Sequence, residues 1–151
     1  MSVRLSLMRS VVIVAVLAAA ACSNSTPTSP SVKVTFTTVD LVAGTGAPAA
    51  FGQTLTIDYT VWLYSATKTD QKGIQVDTSM GKTPISFQLG TGSVIYGLDI
   101  GLQGMKTGGT RRLIIPSQFA YGVQGSGPIP PNSAIVFEVT LNSLQAAGGS
   151  L

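Results

Sequence analysis

Apolar and polar residues alternate one for one in four separate runs of this chain, and that period decides what it can fold into. Val32, Val34 and Phe36 alternate with Lys33, Thr35 and Thr37. Leu55, Ile57, Tyr59, Val61 and Leu63 alternate with Thr54, Thr56, Asp58, Thr60 and Trp62. Ile85, Phe87 and Leu89 flank Ser86 and Gln88, and Ile135, Phe137, Val139 and Leu141 flank Val136, Glu138, Thr140 and Asn142. Successive strand side chains point to opposite faces, so each run gives a strand with one face on a core and one on solvent. Residues 110–115 read as a further strand, stopped by Pro116, which cannot donate to a ladder.

A single stretch suits a helix. Ile95, Leu98, Leu102 and Met105 recur at steps of three and four. Gly97, Gly101 and Gly104 lie within it, so this helix is expected to be short and to need tertiary support. A one-sided antiparallel sheet covered by one helix is an α+β architecture. Two long connections stand out: residues 65–75 form a polar loop between strands, and residues 117–133 hold Tyr121, Gly122, Gly125, Gly127, Pro128, Pro130 and Pro131. A long ordered loop in a small domain is often functional.

The N-terminus reads as a targeting segment. Arg4 and Arg9 make a basic start, followed by an unbroken apolar run over residues 11–21. As a helix that run spans roughly 17 Å at ~1.5 Å per residue, against about 30 Å of membrane hydrocarbon. It fits the apolar core of a signal peptide, whether the chain starts at Met1 or at Met8. Ala19-Ala20-Ala21-Cys22 resembles a bacterial lipobox, with Ala19 where Leu is usual. Lipidation of Cys22 is therefore expected; the alternative is an ordinary signal peptide cut nearby, leaving a free thiol. Cys22 is the only cysteine, so no internal disulfide forms. Residues 23–31 contain nothing apolar to bury and read as a tether. The expected organisation is a signal peptide over 1–21, a tether over 22–31, one domain over 32–147 and a frayed tail over 148–151.

The formal charge of +3 overstates the basicity of the domain. From Cys22 onward seven basic residues face six acidic ones, and no basic run exceeds Arg111-Arg112. Nucleic-acid binding has no support. There is no histidine, and neither a metal nor a cofactor is expected.

Ile57-Asp58-Tyr59-Thr60, Val76-Asp77-Thr78-Ser79, Pro84-Ile85-Ser86-Phe87-Gln88-Leu89-Gly90 and Val94-Ile95-Tyr96-Gly97-Leu98 stand in the order of FKBP-type motifs. Gly101-Leu102-Gln103-Gly104-Met105, Arg112-Leu113-Ile114-Ile115-Pro116, Ala120-Tyr121-Gly122 and Ile129-Pro130-Pro131-Asn132, leading into Ile135-Val136-Phe137-Glu138-Val139, continue it. Over residues 34–146 the chain resembles the FKBP-type prolyl isomerases. The resemblance implies a curved antiparallel sheet wrapped around one short helix, and cis-trans isomerisation of the bond before proline. It implies a groove lined by Tyr59, Val76, Asp77, Ile85, Val94, Ile95, Leu98, Tyr121, Ile129 and Phe137. In that groove the Ile95 N–H and the Tyr121 hydroxyl hold substrate carbonyls. Asp77, held by Tyr59, stands near the carbonyl that rotates, and Phe137 is among the apolar residues that grip the ring.

Each assignment has a structural counterpart. Tyr59 and Phe137 fall on core-facing registers, Asp77 before Thr78-Ser79 suits the start of a turn, Tyr121 suits a loop anchor, and Ile129-Pro130-Pro131 suits a rigid loop exit. The chain also departs from the family: Leu98 stands where an aromatic floor, usually Trp, is common, and Val76 and Ile85 stand where aromatic walls are usual. The expected partners are proline-containing polypeptides and, through Cys22, the membrane of the cell envelope; the chain is expected to be a monomer. The competing readings are a non-catalytic chaperone or proline-binding module on the same fold, and a structural all-β surface lipoprotein such as a sandwich.

Overall fold

The computed structural model describes residues 33–147. The signal segment, Cys22, the tether, Val32 and residues 148–151 lie outside them. The described residues form β1 (Thr37–Val42), β2 (Thr45–Pro48), β3 (Thr54–Tyr64), β4 (Lys72–Thr78), β5 (Ile85–Gln88), α1 (Tyr96–Gly101), β6 (Lys106–Thr107), β7 (Thr110–Ile115) and β8 (Ile135–Gln145). The main sheet runs β1-β7-β8-β3-β4, with β5 also paired to β3, and every pairing is antiparallel. β2 and β6 make a separate two-stranded ribbon.

β3 and β8 form the centre of the sheet because their alternation is the cleanest. Leu55, Ile57 and Val61 from β3, and Ile135, Phe137, Val139 and Leu141 from β8, are buried on the inner face. Leu113 and Ile115 of β7 join them. The opposite face is mostly polar, but Val136 there is buried as well. It lies across from Trp62 and Ile114 in the two ladders. Lys72 lies over the Trp62 ring, 4.3 Å from its centroid, and pairs with Glu138, which also pairs with Arg112.

The single helix follows the expected period: Leu98 and Leu102 are buried. It is only six residues long, because Gly97 and Gly101 make it intrinsically weak. These glycines also let the helix approach the sheet. A Cβ on Gly97 would lie 2.4 Å from Cγ2 of Ile115, and one on Gly101 would lie 2.9 Å from Leu113. Beside the helix, Phe119 stacks edge-on against both Phe36 and Tyr96, with ring centroids 5.9 and 5.2 Å apart.

Two expectations from alternation shift. The first strand begins at Thr37, not in the apolar alternation over residues 32–36. Phe36 instead packs as a plug against Phe119, while all six residues of β1 are exposed at the sheet edge. The polar loop is shorter than its composition suggests, since β4 already begins at Lys72. An edge strand open to solvent needs no apolar alternation, so this part of β4 looks like loop in the sequence.

Candidate active site

All ten groove residues named above converge on one cavity of about 680 Å³ between the inner sheet face, α1 and the long loop. β3 supplies Tyr59, β4 Val76 and Asp77, β5 Ile85, and β8 Phe137. The approach to α1 supplies Val94 and Ile95, and α1 itself supplies Leu98. The loop over residues 117–133 supplies Tyr121 and Ile129. Sequence reasoning missed Val61, Ser93, Ser126, Gly127 and Pro128, which also line it. Val61 was within reach, being two residues beyond Tyr59 on the same alternating face.

Local chain geometry explains the less regular placements. In the β3–β4 ladder Asp77 pairs with Val61 and Gln75 with Trp62, so Val76 is an extra residue. The resulting bulge aims both Val76 and Asp77 at the groove, where strict alternation would turn one away. Ile95 stands at the N-terminal end of α1, its carbonyl accepting from the N–H groups of Leu98 and Asp99. Asp99 is buried, and its two carboxylate oxygens accept from Gly90 N–H and Gly92 N–H, each at 3.0 Å. This clamp ties residues 90–92 to the helix and so fixes the approach to Val94 and Ile95. The roof is equally constrained: Gly125 has φ +68°, and a Cβ there would lie 2.4 Å from the Ile129 carbonyl oxygen.

Asp77 is the only ionisable carboxylate in the lining. The Tyr59 hydroxyl donates to its Oδ2 at 2.6 Å, Thr78 N–H donates to Oδ1 at 2.8 Å, and the Lys82 ammonium approaches Oδ1 at 3.4 Å. Above all the Tyr59 hydrogen bond holds the Asp77 carboxyl below the usual carboxylate range, slight burial opposing and Thr78 and Lys82 assisting. The same bond, with burial and the Asp77 charge, pushes the Tyr59 hydroxyl up to about 12. Burial, and then the Asp77 charge, raise Tyr121 as well. Among the described residues the Tyr121 hydroxyl makes no side-chain hydrogen bond, which leaves it available to a ligand in the groove. The Tyr59 ring also packs on Phe137, with centroids 5.8 Å apart.

Asp77 therefore has two roles in the fold at once. It begins a turn, as its place before Thr78-Ser79 suggests, and it presents a charged, fully oriented edge to an apolar groove. The turn is pinned by Ser79, whose hydroxyl accepts from Tyr59 N–H and donates to Asp58.

Residues 46–142 match the profile of the FKBP-type peptidyl-prolyl cis-trans isomerases. The chain belongs to this family. It is 44% identical over 104 residues to an FK506-binding protein of Neisseria meningitidis, covering 68% of this chain and 89% of that protein. It is 42% identical over 105 residues to FK506-binding protein 1B of Neurospora crassa, covering 69% and 93%. The crystal structure of FkpA from Escherichia coli superposes with a TM-score of 0.62 at 35% identity, covering 74% of this chain and 49% of that one. The chain thus spans about half of FkpA and nearly all of the two FK506-binding proteins.

Membership makes this chain a peptidyl-prolyl cis-trans isomerase with an α+β fold, and the FKBP groove accounts for a lining poor in nucleophiles and bases. The pKa directions fix its pH behaviour. A depressed Asp77 gives a contribution that is complete above its unfolded value of 3.8 and is lost as pH falls through the lower folded value. Tyr59 keeps its proton until about pH 12. With no histidine in the chain, the isomerisation rate is expected to be flat from about pH 5 to about pH 9. A bell-shaped profile inside that window, measured on a peptide whose own groups do not titrate there, would show that another group governs the rate.

Proposed function

We propose that this isomerase acts on prolyl bonds of envelope or exported polypeptides, using an apolar groove that favours the twisted amide over the planar one. The convergence of ten residues on one cavity, with the Tyr59–Asp77 hydrogen bond at its edge, carries this reading. Resonance opposes rotation with a barrier of about 18–20 kcal/mol. No covalent bond needs to break. The planar amide is charge-separated, and the twisted transition state has lost much of that separation. A water-poor wall of Val76, Ile85, Leu98, Ile129 and Phe137 therefore disfavours the ground state relative to the transition state. Only such differential binding raises the rate, and each ~1.36 kcal/mol is tenfold. The Ile95 N–H and the Tyr121 hydroxyl orient substrate carbonyls, and Asp77 faces the carbonyl that turns.

The test is refolding of a protein whose slow phase is prolyl isomerisation. The chain should accelerate that phase without metal or nucleotide. Asp77→Ala should lower the acceleration while the domain stays folded, because the Asp77 side chain is half exposed and contributes little to the core. An unchanged rate in the variant would mean that the role assigned to Asp77 is wrong.

The envelope assignment rests on the apolar run over residues 11–21 and the small residues before Cys22. Lipid on Cys22 would tether the isomerase to a membrane through residues 23–31. Cys22→Ser is then expected to move the protein from the membrane fraction to the soluble one. An intact-mass measurement showing a mature chain with unmodified Cys22 would overturn the anchor.

A further inference from the structure

Three of the most exposed large apolar side chains stand on the segments that border the groove. Ile74 is 73% exposed, Met80 65% and Val123 76%. Isolated exposed apolar residues are ordinary; their position is what matters here. Ile74 lies in β4, two residues before the lining residue Val76. Met80 lies in the turn between Asp77 and Lys82, whose first residue lines the groove. Val123 lies between Tyr121 and Ser126, both lining residues. The borders are also almost free of charge. Residues 117–133 carry none, and in residues 74–82 the only charged groups are Asp77 and Lys82, which pair with each other.

We propose that Ile74, Met80 and Val123 form an apolar rim that engages residues on either side of the proline in an unfolded polypeptide, extending the prolyl groove into a client-chain surface. This rests on the groove being a prolyl isomerase site. The occupant follows from continuity and charge. A chain whose proline sits in the groove can leave it across these borders, and an uncharged apolar border matches apolar side chains. Folded proteins bury such side chains, whereas unfolded chains present them. The rim therefore selects unfolded clients and does little for a short peptide that ends inside the groove.

The test compares the full wild-type chain with the triple variant Ile74→Ser, Met80→Ser, Val123→Ser, whose substituted positions are all exposed and outside the groove lining. Two substrates are used: a four-residue peptide with one proline, and a reduced, carboxymethylated ribonuclease whose refolding waits on proline. The variant should handle the peptide as wild type does, while its apparent KM for the ribonuclease rises about tenfold, or about 1.4 kcal/mol. Equal catalysis of ribonuclease refolding by both proteins overturns the rim. So does an equal loss on both substrates, because the substitutions would then be acting through the groove. If wild type isomerises neither substrate, the isomerase reading fails by itself. Anisotropy of the labelled ribonuclease, held unfolded at low salt, then still decides the rim by whether the triple variant binds it more weakly.

Discussion

Phe137→Ala is expected to lower kcat/KM on a prolyl peptide by at least about tenfold and to destabilise the domain by about 3–5 kcal/mol. Phe137 is only 4% exposed, packs against Tyr59 and lines the groove from the central strand. Its ring therefore serves core and site together, and alanine removes both contributions. The two are separated by Phe137→Leu, which keeps most of the volume and should cost less than about 1.5 kcal/mol. If leucine restores stability but not rate, the aromatic ring itself shapes the groove. If both variants isomerise as wild type does, Phe137 is a core residue and nothing more. Folding must be checked by denaturation at the assay temperature, because a loss of this size is a large part of a typical domain's stability.

The strands legible in the sequence are those with one buried face. β3, β5, β7 and β8 follow the alternation or the proline stop almost residue for residue. β1, β2, β6 and the first half of β4 do not, because their residues are largely exposed or their pairings are interrupted by bulges. An edge strand gains its hydrogen bonds from the sheet and leaves little apolar pattern to read. The ten groove residues were legible through the order of family motifs, not through periodicity. What remained hidden were the parts that act by backbone geometry. Asp99 falls on the apolar side of the helical period, and what keeps a carboxylate there shows only in its bonds to two backbone N–H groups. Gly97 and Gly101 read as helix weaknesses, and their role in close approach to β7 emerges only from the packing.

Leu98→Trp is expected to tighten binding of a fluorescent proline-containing peptide by about tenfold. Leu98 lines the groove from the helix, at the position where the family commonly has an aromatic floor. A tryptophan there would bring more rigid apolar area to the ligand, and aromatic pairs add about 0.5–1.5 kcal/mol beyond area. The indole must find room beside Ile95 and Phe137, and the cavity of about 680 Å³ offers it. Overpacking is the competing effect, at about 1–3 kcal/mol of stability. Affinity and thermal midpoint measured together decide between them. A variant as stable as wild type that binds no better would show that Leu98 is not the floor on which ligand rests.

The pairing of β3 with β8 fixes when this protein can fold. The two central strands lie far apart in the chain: Asp58 and Asn142, which meet through a side-chain hydrogen bond, are 84 residues apart. β7 also needs β8 before it has a partner leading to the rest of the sheet. Closing so long a loop comes before most of the stabilising contacts, which places such topologies among the slower folders. On the ribosome β3 can pair with β4 and β5 early, but it cannot be joined to β7 and β1 until β8 has emerged. The groove, which Phe137 lines from β8, cannot be completed before that strand is in place.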